Sequence, residues 1–324
     1  MNKRSVGKTG LEVTDVSFGC GSIGNLYRKI SDEEALAVLD HAWKAGIRYF
    51  DTAPHYGRGR SEERLGRFQA TLDRADIVIS SKVGRVLSPG KAMSHADGFI
   101  DPLPNDVTYD YSANGIAHSF AQSCDRLQTD TIDIVYVHDI GQRTHGAAND
   151  AHMNALMSSG FDELLRLKRK GRIKAFGLGV NETQVCLDVM DQVPLDVILL
   201  AGRLTLLERT AEEALTDRCR EAGTSLVLGG VFNSGILATG PVEGATYNYK
   251  PASDEIKTRV AELQQSAAER GLTLPTAALH FARNYPGVAS ILVASGKVST
   301  LARNLEALAQ PVNPEDIAAI SSGL

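Results

Sequence analysis

The sequence predicts an α/β protein in which eight parallel strands and their helices close into a (β/α)8 TIM barrel, with an N-terminal β-hairpin and long βα loops. Strand-like and helix-like stretches alternate from residue 14 to the end of the chain. The strand-like stretches are short and apolar without clean alternation, which is typical of parallel strands covered on both faces. Since no Pro/Ser-rich linker divides the chain, residues 1–324 are expected to form a single domain.

Eight stretches rich in Val, Ile and Leu are predicted to be the barrel strands. They are residues 14–19, 47–53, 76–83, 132–138, 173–180, 196–202, 225–231 and 290–295. A small hairpin over residues 4–13, turning at residues 8–10, is expected to precede them.

Amphipathic stretches between the strands predict helices over residues 32–45, 61–70, 112–127, 153–170 and 211–222. Ser31 followed by Glu34 forms a capping box at the start of the first helix. Three longer stretches without periodicity, residues 85–111, 140–152 and 233–252, each follow a predicted strand. In a barrel these are the irregular βα loops of the active-site face.

Composition excludes several classes of protein. The net charge is −5, so nucleic acid is not an expected partner. Four cysteines lack CxxC spacing, which favours reduced thiols in the cytoplasm, and the histidines lack metal-ligand spacing, so no metal is expected. The first residues contain no apolar signal segment, and no apolar run approaches the roughly 18 residues of a membrane helix. A cytoplasmic monomer or homodimer acting on a small molecule is expected.

The glycines Gly19, Gly21 and Gly24 match GxGxxG directly after a predicted strand, the usual signal of a Rossmann dinucleotide site. The best helix cap, Ser31, lies seven residues beyond Gly24, which is too far for the tight turn of that motif. Eight strands also favour a barrel over a Rossmann domain with a substrate domain. The glycines are therefore expected only to let the backbone approach a ligand closely at the mouth of the first strand.

Four residues with complementary chemistry fall at consecutive strand ends. Asp51, Lys82 and His138 end the second, third and fourth predicted strands, and Tyr56 follows Asp51 in the next loop. Strands about 4.8 Å apart would bring the three strand-end residues within roughly 10 Å. Each residue alone is more often a cap, a solvated charge or packing. Together they indicate catalysis.

A phenol has an ordinary pKa of about 10, too high for a base at neutral pH. The sequence predicts that Lys82 lowers the pKa of Tyr56, that Asp51 holds Lys82 in place, and that His138 orients the substrate oxygen. Tyr56 would then move a proton on oxygen while a cofactor handles hydride on carbon.

Several runs carry a resemblance to a known family. They read RYFDTAPHYG (48–57), SEERLG (61–66), SKVGR (81–85), VHD (137–139), LAGRLTLL (200–207) and VFNSGIL (231–237). Over essentially its full length the chain closely resembles the aldo-keto reductases. The resemblance implies a catalytic tetrad of Asp51, Tyr56, Lys82 and His138, with Tyr56 transferring the proton. It also implies NAD or NADP held extended across the barrel mouth without a Rossmann fold.

The resemblance further implies three groups of cofactor contacts. Asn181 is expected at the nicotinamide amide. The pyrophosphate is expected at the loop after strand seven, at Phe232, Asn233, Ser234, Gly235 and Leu237. The adenosine is expected at Ser295, Gly296, Lys297, Thr300, Arg303 and Asn304. Thr300 stands where NADP-dependent relatives carry an arginine for the 2′-phosphate, which favours NAD. Lys297 and Arg303 leave NADP possible.

The chain departs from the family pattern around the nicotinamide ring. Gly179 and Val180 replace a Ser-Asn pair, Gly229 stands where a tyrosine commonly stacks on the ring, and the usual glutamine aligns near Ala201. These departures bear on the ring contacts and not on the tetrad.

The resemblance implies oxidation of a cyclic hemiacetal to a lactone, as in the bacterial branch that oxidises aldoses such as L-fucose or D-threo-aldoses at C1. Pyridoxal 4-dehydrogenase chemistry and generic aldehyde or ketone reduction are alternatives, and a non-catalytic cofactor-binding barrel is a remote one. Substrate contacts are expected from His55, Phe99, Tyr109 and Asp139.

Overall fold

The computed structural model describes residues 1–322, which form a closed barrel of eight parallel strands, as the sequence predicts. Its strands are β1 (Val16–Gly19), β2 (Tyr49–Asp51), β3 (Val78–Val83), β4 (Ile134–His138), β5 (Ala175–Val180), β6 (Val197–Ala201), β7 (Ser225–Gly229) and β8 (Val288–Val293). Strand order around the barrel follows chain order, and β8 pairs with β1 to close it. All eight fall within or beside the predicted stretches.

Helices cover the outside of the barrel. The longer ones are α1 (Asp32–Lys44), α2 (Arg60–Gln69), α3 (Ala113–Leu127), α4 (Phe161–Arg169), α5 (Gln184–Met190), α6 (Leu215–Ala222), α7 (Asp254–Ala268), α8 (Leu274–Asn284), α9 (Val298–Ala309) and α10 (Pro314–Ser322). α1 begins at the predicted capping box, where Ser31 and Glu34 exchange backbone-to-side-chain hydrogen bonds of 3.1 and 2.8 Å. None of the helices in residues 1–322 is long and apolar enough to cross a membrane.

The predicted N-terminal hairpin is present and closes the lower end of the barrel. Its strands, Lys3–Ser5 and Glu12–Thr14, pair in antiparallel fashion. Between them, buried Val6 and Leu11 pack with residues of the barrel interior such as Tyr136. The hairpin therefore covers the end of the barrel opposite the carboxyl ends of its strands.

The three long loops are more regular than predicted. Residues 85–111 contain two antiparallel pairs, Arg85–Pro89 with Asn105–Tyr109 and His95–Ala96 with Phe99–Ile100. Residues 140–152 contain the helix Gln142–His145 and most of the helix Asn149–Ala155. The interpretation of these loops as irregular was therefore wrong, because such short polar segments form through local pairing without hydrophobic periodicity.

The remaining long loop, residues 233–252, holds the short helix Ile236–Thr239 and a pair of two-residue strands, Thr246–Tyr247 and Lys250–Pro251. The helix predicted over residues 153–170 is interrupted by a π-helical segment, Leu156–Gly160, before α4 begins. A side chain on Gly160 would collide with the carbonyl oxygen of Tyr111, so the irregular turn lies where the two backbones touch.

Candidate active site

The carboxyl ends of β2, β3 and β4 bring Asp51, Lys82 and His138 together on adjacent strands. Lys82 Nζ donates hydrogen bonds to Asp51 Oδ2 at 2.7 Å and to the carbonyl oxygen of Thr52 at 2.8 Å. The side chains of Asp51 and Lys82 are 1% and 2% exposed, so this ion pair is shielded from water. Breaking it would leave an uncompensated buried charge.

A chain of hydroxyl groups behind Asp51 was not anticipated from the sequence. Ser80 Oγ donates to Asp51 Oδ1 at 2.7 Å, and the hydroxyl of Tyr49 donates to Ser80 Oγ at 3.0 Å. The hydroxyls of Tyr49 and Tyr136 share a further hydrogen bond of 2.9 Å. Both carboxylate oxygens of Asp51 therefore accept hydrogen bonds, which fixes the orientation of the carboxylate and the position of the Lys82 ammonium.

Tyr56 lies in the loop after β2 and borders the same space. Lys82 Nζ is 4.7 Å from the centre of its ring, and the ring of His138 stands edge-on to it at 6.2 Å. The loop is supported by Gly24, because a Cβ there would lie 2.8 Å from the carbonyl carbon of Tyr56. The prediction of a close approach to ligand was therefore wrong for Gly24, whose backbone contacts the chain itself. Gly19 and Gly21 do line the cavity.

Electrostatics at Tyr56 differ from the prediction. Burial raises the pKa of Tyr56 to about 12, and the nearby Lys82 ammonium lowers that pKa by less than burial raises it. The predicted net lowering was therefore wrong in direction, although Lys82 acts as expected. For Lys82, burial lowers the pKa, but Asp51 and Tyr56 outweigh burial and hold the pKa above its ordinary value. At neutral pH a neutral phenol stands beside a charged ammonium.

His138 is a neutral imidazole at neutral pH. Burial, followed by the positive charges of Arg85 and Lys82, holds the pKa of His138 well below its ordinary value. Its backbone carbonyl accepts a 2.7 Å hydrogen bond from the hydroxyl of Tyr111. A neutral imidazole carries one N–H, so His138 can donate a single hydrogen bond to a substrate oxygen.

A cavity of about 390 Å³ opens at the carboxyl ends of the strands and is bordered by all four tetrad residues. Four further predicted residues also line it: His55, Phe99, Asp139 and Asn181. Tyr109, which was expected at the substrate, is not part of this lining. Its ring packs edge-on against His145 at 4.7 Å and stacks on Tyr111 at 6.5 Å.

The sequence analysis missed several lining residues, of which four lie in loops outside the barrel strands: Leu26, Tyr27, Asp97 and Tyr249. Tyr27 and Tyr249 are 65% and 61% exposed, so each places a large aromatic ring at the mouth of the cavity. The sequence feature that could have indicated Tyr27 and Tyr249 is an aromatic residue within a loop that follows a barrel strand. Which loop folds over the mouth depends on tertiary contacts.

Apart from Asn181, the residues that line the cavity from β5 to β8 and from the positions just after these strands have no polar side chain. They are Gly179, Val180, Leu199, Ala201, Gly229, Gly230, Leu292 and Ala294. A Cβ on Gly229 would reach ordinary contact distance, 3.5–3.6 Å, from Leu199, Ala201 and Leu292. This side of the cavity is therefore apolar, and its glycines leave room that suits a planar ring.

A second cavity of about 270 Å³ lies on the rim and contains most of the predicted adenosine segment. It is lined by Ser22, Leu26, Arg28, Ile30, Ser295, Gly296, Lys297 and Thr300. Leu26 borders both cavities. Arg303 and Asn304 lie on α9 outside this lining, and Arg303 Nη2 donates to Thr300 Oγ1 at 3.3 Å. Two neighbouring cavities, one with an apolar side and one with a polar rim, fit the parts of an extended dinucleotide.

The predicted pyrophosphate loop follows β7 directly. Asn233 is buried and hydrogen-bonded to Thr205 Oγ1, while Ser234 adopts a left-handed backbone with φ of 62°. Gly235 is also left-handed, and Leu237 is buried beneath the loop. Phe232 is half-buried. The loop is thus anchored by its buried residues, and residues 232–237 are not part of the lining of either cavity.

Together, a buried ammonium–carboxylate pair, a phenol and a neutral imidazole around a cavity suit proton transfer to and from oxygen. The family comparison agrees with this class of chemistry. A model of the aldo/keto reductase family matches residues 15–323. Pyridoxal 4-dehydrogenase of Microbacterium luteolum is 38% identical over 97% of this chain and 94% of its own length. D-threo-aldose 1-dehydrogenase of a Pseudomonas species is 36% identical over 92% and 90%, respectively.

Solved structures resemble the fold over its whole extent. An aldo-keto reductase from Bacillus halodurans, in its holo form, gives a TM-score of 0.78 at 24% identity and covers 99% of this chain and 96% of its own. Glycerol dehydrogenase from Gluconobacter oxydans gives 0.77 at 20% identity, covering 99% and 94%. The chain belongs to the aldo/keto reductase family and is an NAD(P)-dependent oxidoreductase.

Proposed function

We propose that this enzyme oxidises a cyclic hemiacetal to a lactone, with NAD as the preferred hydride acceptor and Tyr56 as the proton-transferring residue. The observation that carries the proposal is the buried Lys82–Asp51 pair beside the Tyr56 ring, at a cavity whose other lining residues are mostly apolar. The two similar dehydrogenases support the substrate class, because aldoses and pyridoxal both form internal hemiacetals whose oxidation yields a lactone.

Each tetrad residue has a distinct part in the proposed reaction. His138 donates a hydrogen bond to the hydroxyl of the reacting carbon and orients it. In its phenolate form, Tyr56 takes the proton of that hydroxyl and becomes a neutral phenol, and the charge of Lys82 stabilises the phenolate before the transfer. Asp51 keeps Lys82 charged and in place. The bound nicotinamide supplies the acceptor for hydride from carbon. Because the pKa of Tyr56 is about 12, oxidation is expected to quicken as the pH rises.

The cofactor contacts are also part of the proposal. Asn181 lines the main cavity and would bind the nicotinamide amide. The residues from Phe232 to Leu237 would hold the pyrophosphate, and those from Ser295 to Asn304 the adenosine. Thr300 lines the rim cavity and carries no charge, which supports NAD over NADP.

The first experiment follows NADH or NADPH absorbance with L-fucose, D-arabinose, L-galactose and pyridoxal, each offered with NAD and with NADP. We expect turnover with at least one hemiacetal and a higher kcat/KM with NAD. In Tyr56→Phe, kcat is expected to fall by about 10²–10⁴-fold, since general acid–base catalysis is lost. NADH binding, measured by fluorescence titration, should stay nearly intact. Unchanged turnover in Tyr56→Phe would reject the assigned role.

A further inference from the structure

We propose that Arg85 is a positioning residue whose ion pair with Asp139 fixes the tautomers of His55 and His138, so that both rings offer an Nε2–H donor to the substrate. Such a pair of donors would recognise two neighbouring oxygens, as a cyclic hemiacetal presents and a simple aldehyde does not. The substrate class in this inference rests on the proposed function. The histidine tautomers rest on the geometry around Arg85.

Arg85 lies two residues beyond the end of β3, at the start of the strand Arg85–Pro89, and is 7% exposed. Its Nη2 donates to Asp139 Oδ2 at 2.5 Å, and its Nη1 lies 3.2 Å from His55 Nδ1. A guanidinium stays protonated and has no acceptor, so His55 Nδ1 must accept this hydrogen bond. Nδ1 therefore carries a lone pair.

His55 can carry only one proton. Burial, followed by the charges of Arg85, Lys82 and Arg58, lowers the pKa of His55 to about 3, so the ring is neutral at neutral pH. With Nδ1 accepting from Arg85, the proton lies on Nε2. Within residues 1–322, His55 Nε2 has no hydrogen-bond partner, and the ring lines the cavity. His55 thus has one unused donor at the substrate cavity.

Asp139 acts in the same way on His138. Its Oδ2 lies 3.4 Å from His138 Nε2, and the charge of a carboxylate oxygen favours an N–H over a lone pair at that position. The contact is longer than an ordinary N–H···O hydrogen bond, so this N–H remains able to donate to a substrate oxygen. In the described part of the chain, the other nitrogen of His138, Nδ1, is buried without a partner. Asp139 itself is held by Arg85 and, through its backbone N–H, by the carbonyl oxygen of Gly179 at 2.9 Å. The proton of His138 therefore lies on Nε2 as well.

The two imidazoles stand edge to face, with ring centres 5.8 Å apart, and both border the cavity that Tyr56 also borders. His138 shares an edge-on contact with Tyr56, so its donor serves the oxygen that exchanges a proton with Tyr56. His55 would then bind a second oxygen, either the ring oxygen or the hydroxyl of the next carbon. His55 and Arg85 would in this way favour a hemiacetal over a substrate with one oxygen.

The tautomers are measured directly by long-range ¹H–¹⁵N NMR of the histidine rings in the wild-type protein. We expect the Nε2–H form for both His55 and His138, assigned from the spectra of His55→Phe and His138→Gln. In Arg85→Met, His55 is expected to become a mixture of tautomers, whereas Arg85→Lys, which keeps a charged donor, should retain more of the Nε2–H form. A wild-type His55 with its proton on Nδ1 would overturn the proposal without need of any variant.

Kinetics test the recognition of a second oxygen. The ratio of kcat/KM for the best hemiacetal to that for reduction of a simple aldehyde is expected to fall about tenfold in Arg85→Met and in His55→Phe, which corresponds to the loss of roughly 1.4 kcal/mol. Arg85→Lys should restore part of that ratio. An equal loss for both substrates would show a merely structural role. If no hemiacetal is turned over by the wild type, the proposed function fails, while the NMR result on the tautomers still stands.

Discussion

The two sides of the cavity mouth are built in opposite ways. On the side of β2, β3 and β4, ionisable side chains are buried and hydrogen-bonded to one another, and Lys82 and Asp51 are almost inaccessible to water. On the side of β5 to β8, the lining consists mostly of glycine, alanine and aliphatic residues such as Gly179, Ala294 and Leu292. The first side supplies polar groups held in place, and the second supplies space.

This difference fits the proposed reaction, which needs both a proton-transferring group and room for a planar ring. Asp51 and Lys82 keep their orientation because Ser80 donates a hydrogen bond to Asp51 and the carbonyl oxygen of Thr52 accepts one from Lys82. The second side is apolar because its lining consists mostly of glycine, alanine and aliphatic residues. Mutations on the first side should therefore act mainly by removing or unpairing a charge. Mutations on the second side should act mainly by changing the volume of the cavity.

The largest effect is expected from Lys82→Met, which leaves the Asp51 carboxylate buried without its partner. The free energy of unfolding at pH 8 should fall by about 3–5 kcal/mol, measured by urea denaturation. Burial already raises the pKa of Asp51, and loss of Lys82 raises it further. Since a raised carboxyl pKa in the folded state costs stability as the pH rises above the unfolded value, the deficit should shrink at pH 5.

The matched control is the double variant Asp51→Asn/Lys82→Met, which removes both charges and should lose less stability at pH 8 than Lys82→Met alone. An equal deficit at pH 5 and pH 8 in the single variant would attribute the loss to packing and not to the unpaired carboxylate. It would also contradict the view that mutations on the first side of the cavity act through charge.

The next effect separates two glycines of one motif. In Gly24→Ala the new methyl group would lie 2.8 Å from the carbonyl carbon of Tyr56, so the Tyr56 loop must move. We expect kcat to fall by as much as about 100-fold, the cost of displacing a catalytic group by about 1 Å. In Gly21→Ala the methyl group meets only Leu26 Cδ2, at 3.7 Å, and kcat should change little. Similar kcat values in the two variants would contradict the tight support of Tyr56.

The smallest effect expected is that of pH on aldehyde reduction with NADH, in which Tyr56 donates its proton. With a pKa of about 12, Tyr56 stays protonated between pH 6 and pH 9, and His55 and His138 stay neutral. The kcat/KM for reduction should therefore vary by less than about twofold over this range. A decline with a midpoint between pH 7 and pH 9 would instead support the net lowering of the Tyr56 pKa that the sequence predicts.

The parts of this site that sequence reasoning found are those in which a residue ends a strand. Asp51, Lys82 and His138 could be placed together because neighbouring strands of such a barrel follow one another in the chain, and each residue lies at the end of its own strand. Tyr109 shows where this reasoning stops. It lies at the end of a hairpin strand that pairs with Arg85–Pro89, and the pairing turns its ring towards His145 and away from the cavity.

By itself, therefore, the sequence determined the barrel, the order of its strands and the residues at their carboxyl ends, because hydrophobic periodicity and strand adjacency are local properties. Tertiary structure alone decided which loop residues border the cavity, such as Tyr249, and that Arg85 reaches His55 and Asp139. It also decided the direction of the Tyr56 pKa shift. The burial of the Tyr56 hydroxyl depends on segments that are far apart in the chain and pack around it. A local sequence pattern therefore does not predict how strongly they exclude water from it.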